Sequence, residues 1–443
     1  MKKLVEEARG IVAETLKQVD VRRVVAQHVA CDGQVLRLGK ESVAVSELDQ
    51  LVVVAVGKAA LPMFEAARDS LKGAPIRAVV VTNPAAEHER NAGVLRFTQN
   101  DVSFMTGNHP LPDAASFHAA TAIMTLLREV TSRTAVLFLV SGGASAMVEA
   151  PLDPLISIAD TAAFYQALIG SGLAIAQMNA LRKHFSAVKG GRLAETASAA
   201  RMQYTMLISD VPAGMPDAIG SGPSLPDSTT LADCGRLLFH VGELPAGVAE
   251  FFAGPLCVET PKPGDGCFAR AHWDVVLSSE HLAAAAAKAA RGAGFRVEID
   301  NGCDEWEYRD ASRYLLGRGL EISGEPSRVC LISVGEVGVT LPAEVGEGGR
   351  NQQFALWCAA EAARRGVAAT IVSVGSDGID GNSLVAGGIC DETIVDRAAE
   401  LGLDAEAALA NFDTTPLLRA VGATIETGPT GNNLRDLRML LFG

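Results

Sequence analysis

The chain is predicted to be an α/β protein of two α/β domains, the first Rossmann-like with a mostly parallel sheet, the pair enclosing an interdomain cleft. Three observations predict this. Nearly uncharged runs such as LVVVAVG (51–57), TAVLFLV (134–140) and RVCLISVG (328–335) have the composition of strands covered on both faces. Helix-patterned stretches alternate with them, as crossover connections between parallel strands require. Glycine-rich loops follow the strands directly, and open α/β sheets bind ligands at the carboxyl ends of their strands. At 443 residues, 48% hydrophobic and 20% charged, the chain can bury two ordinary cores.

The elements follow in order. MKKLVEEARGIVAETL carries acids where a signal peptide needs an apolar stretch, and reads as an amphipathic surface helix. The strand 51–57 is followed by Gly57-Lys58 and the helical AALPMFEAARDSL, then by a second strand, IRAVVVT (76–82). Further strands are expected at 134–140, YTMLIS (204–209), WDVVLSS (273–279), FRVEI (295–299), 328–335 and AATIVSVG (369–375). Helices are expected around 116–130, 157–176, 281–291, 309–320 and 352–366. The Pro- and Gly-rich stretch 243–267 places the domain division near 240, giving an N-terminal domain 1–240 and a C-terminal domain 241–443. The terminal LRDLRMLLF is left free to pack back on the first domain.

Charge and cysteine content narrow the function classes. A net charge of -14 argues against a nucleic-acid partner or an anionic membrane surface, both of which need contiguous positive potential. No apolar run reaches the roughly 18 residues of a membrane span. The cysteines at 31, 234, 257, 267, 303, 330, 358 and 390 form no CxxC pair, so reduced thiols in a cytoplasmic protein are expected, without structural zinc. Composition does not choose between a monomer and a homodimer.

The chemistry-bearing residues sit at strand ends. Lys58 follows an uncharged strand, where its ammonium can reach a phosphoryl group. Ser141-Gly142-Gly143 open a loop whose small residues let a phosphate approach backbone amides, and GEGGRNQ (346–352) places Arg350 and Asn351 at a helix start. The segment 178–195 concentrates Arg182, Lys183, His184, Lys189 and Arg192. On one helix Arg182, Ser186 and Lys189 would share a side able to bind a carboxylate or phosphate. Asp210, Glu336 and Asp377 each follow a strand. Such carboxylates can hold hydrated Mg²⁺ or orient a hydroxyl; each can also be a helix cap or Asx turn, and Glu336 can instead pair with Arg350.

At these residues the chain resembles the glycerate 2-kinase family, whose C-terminal part is known as the MOFRL domain. The matching stretches are VAVGKAA (54–60), TGNHPLPD (106–113), LVSGGASAM (139–147), NALRKHFSAVKGGRLA (179–194), LISDVP and SGPS (207–212, 221–224), GEGGRNQQFAL (346–356), GSDGIDG (375–381) and TGPTGNNLRDL (427–437). The resemblance implies two α/β domains and transfer of the γ-phosphoryl of ATP to the 2-hydroxyl of D-glycerate with Mg²⁺. The family's lysine falls on Lys58, its arginine on Arg350 and the first acid of its GTDG-like loop on Asp377. Departures occur at SDVPAGMP (209–216), where two acids are absent, at Val337-Gly338, where relatives carry threonines, and at Asn432 in place of threonine.

In the mechanism this implies, Lys58 and Arg350 neutralise the transferring phosphoryl oxygens and Asp377 orients the acceptor hydroxyl. Asp210 or Glu336 anchors Mg²⁺, and the 182–192 cluster or Ser141-Gly142-Gly143 receives a carboxylate or phosphates. Arg350→Ala is accordingly expected to lower turnover without unfolding the protein. A kinase for another small sugar acid, a hydroxypyruvate reductase and a non-catalytic metabolite-binding protein are the other readings. The reductase lacks a GxGxxG fingerprint here.

Overall fold

The computed structural model describes residues 2–83, 102–211, 214–324 and 328–443. It divides into two compact units, one formed by Val21–Val276 and the other by Met1–Asp20 with Leu277–Gly443. The division thus falls beyond 240. The reason is that the stretch after 243 supplies Val248, Phe251 and Cys257 to a cluster around Phe164 and Phe185, and then an edge strand to the first unit's sheet.

The first unit opens with a small antiparallel sheet of β1 (Val29–Cys31), β2 (Val35–Leu38) and β3 (Glu41–Ala44), which the sequence reading missed. Its main sheet comprises β4 (Gln50–Val56), β5 (Ile76–Thr82), β6 (Val102–Thr106), β7 (Thr134–Val140), β8 (Met202–Ile208) and β9 (Ala271–Leu277), in the order β6-β5-β4-β7-β8-β9. From β6 through β8 every neighbouring pair is parallel, and β7 and β8 are buried along their whole length, as expected of strands covered on both faces. Val52, Val54, Phe138 and Val140 pack there against Ile123 and Leu127 of the helix Ala114–Arg128. The strand order reverses direction between β4 and β7, so the crevice at their carboxyl ends is the topological switch point.

The expected helix 157–176 is two helices, Ile158–Gly170 and Ile175–Phe185, broken where Gly172 takes a φ of +72°. The second ends at Phe185. Ser186 is its extended C-terminal cap, and Lys189 lies beyond the helix, so Arg182, Ser186 and Lys189 do not form one helical face.

The second unit's sheet comprises β10 (Arg296–Ile299), β11 (Val329–Gly335), β12 (Thr370–Gly375), β13 (Gly387–Asp391), β14 (Thr424–Ile425) and β15 (Asp436–Phe442), ordered β10-β11-β15-β12-β13-β14. Only β10 and β11 run parallel here, which corrects the expectation of mostly parallel sheets for this half. LRDLRMLLF does not cross to the first unit: it supplies β15, inserted antiparallel between β11 and β12. Because β15 runs against its neighbours, its first residue, Asp436, lies level with Gly335 and Gly375, the last residues of β11 and β12.

The N-terminal helix Lys2–Gln18 belongs to this second unit, with Ala8, Ile11 and Val12 buried. Asn432, a departure from the family pattern, is buried and donates through Nδ2 to Val19 O at 2.9 Å, tying down the end of that segment. Val337 is a core residue. Gly338 exchanges backbone hydrogen bonds with Trp306 and Tyr308, so these departures serve packing within the unit. Pro212 and Ala213 of SDVPAGMP lie outside the described residues. All eight cysteines are unpaired, and no helix among the described residues is long and apolar enough to cross a membrane.

Candidate active site

The first unit gathers its predicted residues at the switch point. The loops after β4 and β7 are fastened together: Lys58 N donates to Gly142 O at 2.9 Å, and Ala59 N donates to Ser141 Oγ at 3.0 Å. This approach needs Gly57 at φ +122°, since a Cβ there would fall on Ser141. Lys58 therefore leaves the sheet mouth with an exposed side chain, beside Gly143. Asp210, two residues beyond β8, rests its carboxylate against Gly142, where no side chain larger than hydrogen fits. Three loops from adjacent parallel strands thus bring Lys58, Ser141-Gly142-Gly143 and Asp210 together.

The basic cluster separates into distinct roles. Lys183 is buried and donates to Asp217 at 2.6 Å and to Asp227 at 3.1 Å, which places it in an internal ion pair. Lys189 is fully buried, donating to Val148 O at 2.8 Å and Glu149 Oε2 at 2.9 Å, while Tyr165 donates to the same carboxylate. Burial holds the Lys189 ammonium below the ordinary lysine range despite Glu149. Both lysines are structural in the described molecule, and neither presents an ammonium to a substrate. Arg192 donates to the carbonyls of Val258 and Glu259, and His184 lies between Ala180 O and Glu259.

Arg182 differs from its neighbours. Its guanidinium lies over the Tyr165 ring at 4.6 Å and contacts Asn179 at 3.5 Å. Its Nε, like that of Arg192, is buried without a partner, which costs free energy. Lys189→Met is expected to destabilise the protein by about 3–5 kcal/mol, because it strands Glu149 in the interior. Chemical denaturation checks this, and an unchanged midpoint would show that the pair contributes nothing.

The second unit's residues converge on the edge where β11, β15 and β12 end level. Arg350 is the first residue of the helix Arg350–Arg364. Its guanidinium forks onto Asp436, Nε to Oδ2 at 2.7 Å and Nη2 to Oδ1 at 3.1 Å, and its Nη1 donates to Glu336 at 3.0 Å. Of the two readings of Glu336, the structure therefore shows the ion pair with Arg350. A second fork, Arg435 on Asp304 at 2.6 and 2.9 Å, stands beside it, and Asp304 also accepts from Glu336 N. Asp436, Asp304 and Arg435 were not predicted. The signal was Arg435-Asp436, inside the TGPTGNNLRDL stretch.

The anion at the start of the Arg350 helix is internal. Asp380 accepts from the amide N–H of Asn351 at 3.0 Å and of Gln352 at 2.9 Å, and from the side-chain amides of both. The glycines of GEGGR permit this, since a Cβ on Gly349 would fall on Asp380 and Gly381 packs on Gly348 O. Asn351 is buried and also accepts from Ser373 at 2.5 Å, so it holds the helix start rather than facing a ligand. Asp377 closes an Asx turn on Ile379 N at 3.1 Å and lines a cleft of about 580 Å³ with Arg350, Asp380, Leu341 and Phe412. A larger cavity, about 790 Å³, walled by Trp357, Val395 and Leu403, holds none of the predicted residues. We place the site by its chemistry rather than by volume.

Burial pushes the Asp380 carboxyl up to about 6 from 3.8, against the hydrogen bonds that favour its ionised form. A raised carboxyl takes up its proton more readily folded than unfolded. Its contribution to stability is full below about 3.8 and is lost as pH rises through about 6. The unfolding midpoint of the wild type minus that of Asp380→Asn is thus expected to fall across this window and to level off above it. Parallel pH profiles for the two proteins would refute the assignment.

No group of three or more metal-ligating side chains gathers among the described residues. Both oxygens of Glu336 face Arg350, so Glu336 is committed to that ion pair.

Comparison with known proteins identifies the family. A domain of unknown function, DUF4147, matches residues 7–252, and the MOFRL family matches 329–436. A D-glycerate 2-kinase of Thermotoga maritima is 32% identical over 90% of this chain and 93% of its own. An Agrobacterium vitis protein whose name gives hydroxypyruvate reductase as a provisional activity is 34% identical over 88% and 87% of the two chains. The crystal structure of a glycerate kinase from Thermotoga maritima superposes with a TM-score of 0.84 at 30% identity, covering 100% of both chains. With the switch-point loops and the Arg350 helix in place, the chain belongs to the glycerate 2-kinase family.

Proposed function

We propose that the chain is an ATP-dependent kinase that phosphorylates the 2-hydroxyl of D-glycerate to give 2-phosphoglycerate. The observation that carries this reading is the exposed Lys58 beside Ser141-Gly142-Gly143 at the switch point, with Asp210 on the adjoining strand end. Phosphoryl transfer asks mainly for positioning and charge stabilisation, and these residues supply both. Lys58 neutralises developing charge on the transferring phosphoryl oxygens, and the small residues at 141–143 let phosphates approach backbone amides. Arg182 receives the carboxylate of the acid.

Within the second unit, Arg350, held by Asp436 and Glu336, is the candidate for a phosphate contact, and Asp377 is the candidate for orienting a hydroxyl. Asp210 would hold hydrated Mg²⁺, which when bound neutralises nucleotide phosphates. Lys183, Lys189 and Asn351 shape the scaffold behind these groups.

The test is to incubate the purified protein with Mg²⁺, ATP and a panel of acids: D-glycerate, L-glycerate, longer aldonic acids, and hydroxypyruvate with NADH. ADP formation with 2-phosphoglycerate, identified by phosphorus NMR, is the expected outcome. ADP with a different acid would reassign the substrate, and NADH loss without ADP would replace the kinase by a reductase.

A further inference from the structure

His109 has no role in the account above, yet it stands in the same crevice. A Cβ on Gly143 would lie 3.4 Å from Lys58 Cγ and 3.5 Å from His109 Cδ2, so both side chains border one spot on the loop after β7. Charged groups near that spot are Lys58 after β4, Asp210 after β8 and Arg182 on the helix Ile175–Phe185, with the Lys189–Glu149 pair buried in the same unit. Partial desolvation, then Lys58, then Arg182 hold the imidazole below its ordinary range. That favours the uncharged ring, which has one N–H to donate and one ring nitrogen to accept.

Ser141 Oγ, on the same loop, accepts from Ala59 N. Two cations suit the anionic end of a substrate. A neutral donor and acceptor beside Lys58 suits a group that is polar and uncharged, and in a hydroxy acid that group is a hydroxyl.

We propose that His109 is a specificity-determining residue that hydrogen-bonds a hydroxyl of the hydroxy acid whose carboxylate Arg182 receives. The inference rests on the acid-kinase reading and deepens it: Arg182 selects acids, and His109 selects hydroxy acids among them. A site that bonds a hydroxyl favours the acid that carries it over the analogue that lacks it.

The test measures binding of three acids by calorimetry, with and without a non-hydrolysable ATP analogue. They are D-glycerate, D-lactate, which lacks the 3-hydroxyl, and 3-hydroxypropanoate, which lacks the 2-hydroxyl. The wild type is expected to prefer D-glycerate over at least one analogue by about 10- to 100-fold. In His109→Ala that one preference is expected to shrink below about threefold while the other persists, and His109→Gln, whose amide also donates and accepts, is expected to restore part of it. A residue acting only on the fold would weaken all three acids alike.

The proposal is overturned if both preferences survive intact in His109→Ala, or if the wild type binds the three acids equally or not at all. ADP production from D-glycerate is read separately. Its absence alongside the expected selectivity pattern would sink the kinase reading and leave the assignment of His109 standing.

Discussion

Arg350→Ala is expected to lower kcat about 10²- to 10³-fold, the scale of removing one charge-stabilising donor, and to destabilise the protein by about 3 kcal/mol. The second effect is not expected from the sequence alone. It arises because Asp436 is 2% exposed and its carboxylate is matched by the Arg350 fork at 2.7 and 3.1 Å. Removing the guanidinium leaves that carboxylate buried with a partner missing.

Two further variants separate the effects. Arg350→Ala combined with Asp436→Asn is expected to recover most of the stability but none of the turnover. Arg350→Lys keeps the charge and loses the planar fork, so it is expected to fall between wild type and alanine in both measurements. Denaturant midpoints and steady-state turnover decide the matter. Full turnover in Arg350→Ala, whatever its midpoint, would make the residue purely structural.

Lys58→Ala is expected to give the opposite profile: a loss of about 10²- to 10³-fold in kcat with stability within about 0.5 kcal/mol of wild type. Its side chain is exposed, and the loop is held by its backbone N–H on Gly142 O and by Ala59 N on Ser141, both of which survive the substitution. Activity within twofold of wild type would remove Lys58 from the chemistry. A large drop in the unfolding midpoint would mean instead that the side chain braces the loop.

The sequence made β4, β5, β7 and β8 legible because each is a mostly apolar run, a pattern local enough to read without a partner, whereas β6 and the small sheet β1–β3 were missed. Lys58 was readable for the same reason, being the charge that ends such a run. The basic cluster was misread because its charges were visible and their partners were not. Asp217, Asp227 and Glu149 lie 34, 44 and 40 residues from the lysines they neutralise. His109 escaped attention inside TGNHPLPD, where nothing local distinguishes an imidazole facing a crevice from one facing water.

Taken alone, the sequence determined the α/β class, the strand–loop–helix succession and the glycines that let loops meet, all consequences of neighbour-scale sterics and hydrophobic patterning. The tertiary structure decided which charges remain free. It set β15 antiparallel between β11 and β12, which carried Asp436 up to Arg350, and it turned Asp380 onto the helix amides that a phosphate would otherwise suit. Ion pairing depends on a few ångströms between residues far apart in the chain. Only the folded arrangement of strands fixes such distances.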